Sequence, residues 1–216
     1  DVQTNSIFIV TDTDERKWYD GTNWQPLPDR AVFAGGSSGS RETTMDYIAI
    51  GTLGNATDFG DLTVARSALA GCSNGTRGCC SGGDPDGVNG NQSNVIDYIT
   101  IATTGNATDF GDLTVARIQI EGASNDTRGL FCNGYGTSTS IKNTIDYITI
   151  ATTGNATDFG DSTQGTYSHA GVNNNTRACF AGGWTGSANS NVIDYVTIAT
   201  TGNATDFGNL TVARIN

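Results

Sequence analysis

Lysine, glutamate, methionine and histidine are nearly missing from this 216-residue sequence, which holds two Lys, three Glu, one Met and one His. The straight-chain residues that favour helices are therefore scarce, and a helical protein is not expected. No apolar run approaches the roughly 20 residues that cross a bilayer as a helix, and no charged-then-apolar leader opens the chain, so membrane insertion is not expected. With Asp1 first and Met45 its only methionine, the sequence reads as a processed chain or a piece of a longer one. A formal net charge of -11 disfavours nucleic acid and anionic membranes as partners, because both carry the same sign. The five cysteines, Cys72, Cys79, Cys80, Cys132 and Cys179, are odd in number and lack metal-ligand spacing; they read as buried free thiols.

The sequence is rich in Thr, Ile, Val, Asn and Asp, with 29 Gly, the composition of strands and tight turns. It is also repetitive. The stretch from Asn94 to Arg117 recurs almost word for word, and the aspartate of its Asp-Tyr pair falls at Asp46, Asp97, Asp146 and Asp194, that is, at steps of 51, 49 and 48 residues. A period of about fifty signals a repeat architecture.

Residues 1–29 stand apart as an N-terminal β-hairpin or a degenerate first copy, with strands at Ile7–Val10 and Lys17–Asp20 and a turn before Trp24. Residues 30–216 divide into units of four short strands. In the second unit these are Ser67–Cys72, Arg77–Ser81, Val95–Thr103 and the segment around Phe110 to Ala116. The long strand carries Val95, Ile99 and Ile101 on one face and Ile96, Tyr98 and Ala102 on the other. Apolar residues on both faces predict a sheet sandwiched between neighbours. The expected fold is therefore an all-β propeller of four four-stranded blades, or five if residues 1–29 form one. The unit beginning at Arg30 lacks a first strand, which the N-terminal segment, a continuation of the chain or another subunit would have to supply.

Phe33-Ala-Gly-Gly36, Phe180-Ala-Gly-Gly183, the Asn-Val-Ile-Asp-Tyr strand and the closing Val-Ala-Arg resemble the kelch repeat, with Phe59, Phe110, Phe159 and Phe207 where that family carries tryptophan. The resemblance implies a kelch-like β-propeller in which Asp97, Tyr98, Phe110, Arg117 and their counterparts are structural. The Gly-Asn-Ala-Thr-Asp-Phe-Gly-Asp-Leu-Thr-Val-Ala-Arg wording is similar to repeats in virion proteins of tailed phages, notably those of marine cyanobacteria. The opening Thr-Asp-Thr-Asp-Glu-Arg-Lys-Trp-Tyr-Asp-Gly-Thr-Asn-Trp resembles a hairpin of phage tail and fibre proteins. This implies a non-enzymatic virion component of a tail fibre, tail or capsid surface. It would be assembled in the host cytoplasm and be oligomeric in the particle, with other virion proteins as partners. A host-surface glycan or protein is a further partner, and an extracellular lectin-like propeller is the alternative. No cofactor is expected.

Candidate chemistry is thin. Gly35-Gly-Ser-Ser-Gly39 matches the esterase elbow in letters but sits in a glycine-rich β-loop, and Asp-Phe-Gly occurs four times without any other kinase motif. His169 is expected to be an incidental strand or surface residue, and one histidine does not meet the two that the kelch-family copper oxidase needs. A residue present in every copy more plausibly closes a turn or core than performs one step of catalysis. Asp58 with Asp61 and Asp109 with Asp112 flank a Phe-Gly turn and are weak Ca²⁺ candidates. The simpler expectation has these acids capping their own turn, with Arg66, Arg117 or the strand-initial arginines neutralising them. Sequons at Asn55, Asn106, Asn155, Asn203, Asn74, Asn125 and Asn174 fit the turn preference of Asn.

What varies between copies is the loop after the double glycine: Ser37–Thr44, Asp84–Ser93, Tyr135–Asn143 and Trp184–Asn191. Equivalent loops share one face of a repeat protein, and variation there marks a recognition surface. The candidate binding residues are Arg41, Glu42, Asp84, Asp86, Asn91, Tyr135, Lys142 and Trp184, with the two aromatics suited to stacking on a sugar.

Overall fold

A strand that is apolar on both faces needs a sheet on each side of it, and the chain meets that need by stacking sheets. The computed structural model describes residues 30–88, 91–137 and 140–215, together with the backbone of three N-terminal strands. No α-helix occurs among them, and the elements that build the fold are strands. β1 (Ile7–Val10) runs antiparallel to β4 (Arg30–Ala34), while β2 (Lys17–Tyr19) and β3 (Trp24–Pro26) pair only with each other. β5 (Thr44–Ala49) and β6 (Thr57–Asp61) complete a first sheet in the order β1-β4-β5-β6, so the N-terminal segment provides the strand its unit lacks.

The second sheet is β7 (Ala70–Ser73), β8 (Arg77–Ser81), β9 (Val95–Thr100) and β10 (Thr108–Asp112). After β11 (Arg117–Ile118), the third contains β12 (Glu121–Ser124) and β13 (Arg128–Cys132). The chain then forms β14 (Tyr135–Gly136) and β15 (Ser140–Ile141) before returning as β16 (Thr144–Thr149) and β17 (Thr157–Asp161). β11, β14 and β15 make a small three-stranded sheet of their own. β18 (Ala170–Asn173), β19 (Arg177–Ala181), β20 (Val192–Thr197) and β21 (Thr205–Asn209) form the last four-stranded sheet. The four large sheets are antiparallel throughout, and their first strands line up in the order β1, β7, β12, β18, a β-propeller-like arrangement.

Three apolar clusters fill the three junctions between consecutive sheets. Phe59 and Leu62 pack with Cys80, Ile99 and Ile101; Ile96, Phe110 and Leu113 with Phe131, Ile148 and Ile150; Leu130, Ile145 and Phe159 with Phe180, Val196 and Ile198. Ile99 and Ile101 thus serve one junction and Ile96 the next, as strand alternation requires. Cys72, Cys79, Cys80 and Cys132 are buried free thiols; Cys179, also expected to be buried, is only partly so.

Backbones approach closely where the sheets join. Gly154 N donates to Phe110 O at 2.8 Å and Ala156 N to Asp112 O at 2.8 Å, and the neighbouring junctions repeat this with Gly105, Ala107, Gly202 and Ala204. A Cβ at Gly111 would lie 2.6 Å from the carbonyl carbon of Gly154, too close for any side chain, and its φ of +141° also favours glycine. The Phe-Gly turn is therefore a contact with the neighbouring sheet.

Several expected strand limits move, and the long strand, expected as Val95–Thr103, ends at Thr100. The first strand of the second unit starts at Ala70 rather than Ser67, because Ala68 takes a left-handed φ of 54° and Ser67 bridges instead to Asp84. The closing strand ends at Asp112, where Leu113 N turns to Asn94 O.

Candidate functional site

The repeated acids and arginines fall into two sets with different partners. Asp97 and Asp146 are fully buried and each receives an arginine from the preceding unit: Arg66 Nη2 lies 2.8 Å from Asp97 Oδ2 and Arg117 Nη2 lies 2.7 Å from Asp146 Oδ2. Thr114 completes the second link through its amide and its hydroxyl, 3.2 and 2.6 Å from the same carboxylate. The strand-initial arginines do something else. Arg30, Arg77 and Arg128 donate to Ile101 O, Ile150 O and Ile198 O of the following sheet while lying over Tyr47, Tyr98 and Tyr147. The expectation that these arginines neutralise the turn acids is thus corrected. Asp58 accepts from its own Gly60 amide and Asp61 from Thr43 Oγ1, both at the exposed edge. Asp109 is exposed and Asp112 half-buried beside the same turn, and no group of three or more potential metal ligands occurs among the described residues.

The variable loops all join the second and third strands of their sheets and so share one rim, along which they meet in two pairs. Arg41 Nη2 reaches Asp84 Oδ2 at 2.5 Å, joining the first loop to the second, and a Cβ at Gly186 would meet Ile141 Cδ1 at 2.9 Å, which places the fourth loop against the third. Several candidate binding residues are engaged within the rim. Asp84 accepts from Asp86 N and Gly87 N, Glu42 accepts from Ser38 and Ser40, and the Asn91 amide and then Val88 N hold the Asp86 carboxyl below its ordinary range. The Lys142 stem covers Gly136. These contacts shape the loops, and they leave an aromatic group as the open chemistry. Tyr135 meets Tyr167 edge to face at 5.5 Å, Trp184 is paired through its backbone with Tyr167 and Asn189, and all three rings are half-buried. Tyr167 was not among the candidates because it lies outside the variable loops; its membership follows from the bridge to Trp184.

Beneath this group the repeat is broken. Where other units have leucine, arginine and a first glycine, the third junction has Ser162, Thr166 and Asn133. The three substitutions form one network. Asn133 Nδ2 donates to Thr166 Oγ1 at 2.9 Å and Ser162 Oγ to Asn133 Oδ1 at 2.6 Å, while Asn133 holds a left-handed φ of 54° in place of glycine. Asp194 is left without an arginine and is held by Thr163 through its amide at 2.8 Å and its hydroxyl at 2.7 Å. A cavity of about 10 Å³ remains beside Asn133, Gln164, Thr166, Asp194 and His169.

His169 is 4% exposed and neither ring nitrogen has a hydrogen-bond partner, so the residue expected to be incidental on a strand or the surface is buried at this break, just before β18. Burial pushes its pKa down to about 4 from an ordinary 6.5, and burial pushes Glu121 up to about 7 from 4.5. The two act oppositely on stability. Between pH 4 and 6.5 the unfolded chain holds a proton on His169 that the fold refuses, so this contribution rises with pH. Between pH 4.5 and 7 the fold keeps a proton on Glu121 that the unfolded chain releases, so that contribution falls. In the shared window they cancel. Urea titrations from pH 4.5 to 6.5 should show His169→Gln losing stability with rising pH relative to the parent, and Glu121→Gln gaining it, by up to about 1.4 kcal/mol per pH unit. Parallel curves for all three proteins would refute both assignments.

No protein-family model matches the sequence, and no curated protein matches it. Among solved structures, YjhT is similar to 98% of this chain over 66% of its own length, with a TM-score of 0.75 and 8% sequence identity. The chain thus spans about two thirds of that structure, and at this identity the likeness concerns the fold alone.

Proposed function

We propose that each four-stranded sheet is a kelch-like blade and that the chain is a non-enzymatic component of a tailed-phage virion, displaying its variable loops for recognition of a host-surface glycan or protein. One observation carries the recognition role: the buried Arg66–Asp97 and Arg117–Asp146 pairs are committed to links between sheets, whereas sequence variation collects on one rim around the half-buried Tyr135, Tyr167 and Trp184. The virion assignment is supported by the phage-like wording of the repeat and of the N-terminal segment. Half-buried aromatic rings offer a rigid apolar face with a polar edge, the chemistry that stacks on a sugar ring.

The test is binding of the purified chain to a glycan array and to host envelope fractions. Trp184→Ala or Tyr135→Ala should weaken capture at least about tenfold, the equivalent of roughly 1.4 kcal/mol, while leaving the melting transition in place. Failure of the parent chain to bind any envelope material would remove the recognition role and leave assembly or decoration of the particle as its function.

A further inference from the structure

The stack ends in two unsatisfied halves of the same junction. On the outer side of the last sheet Phe207 is 55% exposed, although Phe59, Phe110 and Phe159 in the same position are 2–3% exposed. Leu210 is half-buried where Leu62 and Leu113 are buried, and Arg214 is exposed where Arg66 and Arg117 are fully buried in their ion pairs. A Cβ at Gly208 would meet nothing within 4 Å, although at Gly60, Gly111 and Gly160 it would collide with the next sheet. On the outer side of the first sheet Ile50 is 45% exposed where Ile101, Ile150 and Ile198 are fully buried. Asp46 and Ile48 are half-buried there, whereas Asp97, Asp146, Ile99 and Ile148 are buried.

These halves match each other group by group. The first two internal junctions join an arginine after the Phe-Gly turn to the aspartate of the next Asp-Tyr strand. All three join a strand-initial arginine to an isoleucine carbonyl and the turn amide to an asparagine side chain, as in Asp112 N to Asn155 Oδ1 at 3.1 Å. The last sheet presents Arg214, Arg177 and the Asn209 amide; the first presents Asp46, the Ile50 carbonyl and Asn55. The charges are complementary, the apolar residues face apolar residues, and the wording is that of junctions the chain already makes.

We propose that the last sheet of one molecule docks on the first sheet of a second copy, head to tail, with Arg214 paired to the partner's Asp46. The contact is heterologous, using a different surface on each molecule, so it propagates or closes into a ring instead of stopping at a two-fold dimer. It is independent of the recognition role, which concerns the loop rim.

Sedimentation velocity of the 22.4 kDa chain over a range of concentrations tests this. The parent should associate. Asp46→Arg or Arg214→Asp alone should weaken association at least about tenfold, and the double reversal, which places opposite charges together again, should recover most of it. A monomer at every concentration overturns the proposal, as it would if a different protein covers these faces. Association untouched by either reversal also overturns it. Should a reversal disturb folding, Ile50→Lys, on the most open part of the same face, takes its place and should likewise give monomers.

Discussion

Arg117→Ala is expected to lower unfolding stability by about 3–5 kcal/mol, the usual consequence of removing one partner of a buried ion pair. The guanidinium is fully buried, and its bonds go to Asp146 Oδ2 at 2.7 Å, Phe131 O at 3.2 Å and Thr144 O at 3.2 Å. Alanine would leave a carboxylate in the interior with only Thr114 to hold it, and would take one donor from each of two carbonyls, of which Thr144 O still accepts from Asn133 N. Burial lowers the Arg117 pKa from its ordinary value while Asp146 opposes that shift. The third junction supplies an internal comparison. Asp194 already does without arginine, so Asp194→Asn should cost less than Asp146→Asn. Urea denaturation of the variants measures both differences, and a loss below about 1 kcal/mol for Arg117→Ala would mean that the pair is solvated and the junction looser than described.

The second large effect lies in the aromatic core. Phe110→Ala should cost about 3–5 kcal/mol, because the ring is 3% exposed and packs edge to face on Tyr98 at 6.0 Å between two sheets. Phe207→Ala removes the same residue from the same turn, with the same edge-to-face neighbour, Tyr195, at 5.9 Å, yet its other side is open. Its cost should stay near 1 kcal/mol or below under dilute conditions. Equal losses at the two positions would show that Phe207 is covered and that the outer face of the last sheet is closed.

Much of the fold was legible because strands announce themselves by period and turns by Gly and Asn. Arg77–Ser81 was placed to the residue, and the apolar pattern of Val95 to Ile101 gave a sheet covered on both sides. Which group each arginine meets was not legible. A repeat shows that Arg117 and Asp146 recur, but the pairing joins successive units, and only the stacking of sheets fixes that phase. The irregular pairing between Ile145 and Asp146, which interrupts the register with β17, is likewise invisible in the letters. At the candidate site the loops were found by their variability. Tyr167 was missed because it lies outside those loops, and the burial of His169 was not legible because it accompanies Asn133, Ser162 and Thr166 changing together, a signal readable only as joint departures from the repeat.

The buried thiols carry a practical consequence. Burial raises the pKa of Cys80 to about 12 and that of Cys132 well above its ordinary value, so neither presents the reactive thiolate while its junction is closed. Cys72, Cys79 and Cys80 belong to the second sheet, Cys132 to the third and the partly exposed Cys179 to the fourth. An alkylating reagent therefore meets a set of reporters spaced along the stack, and the order in which they are trapped records which sheets part from their neighbours first.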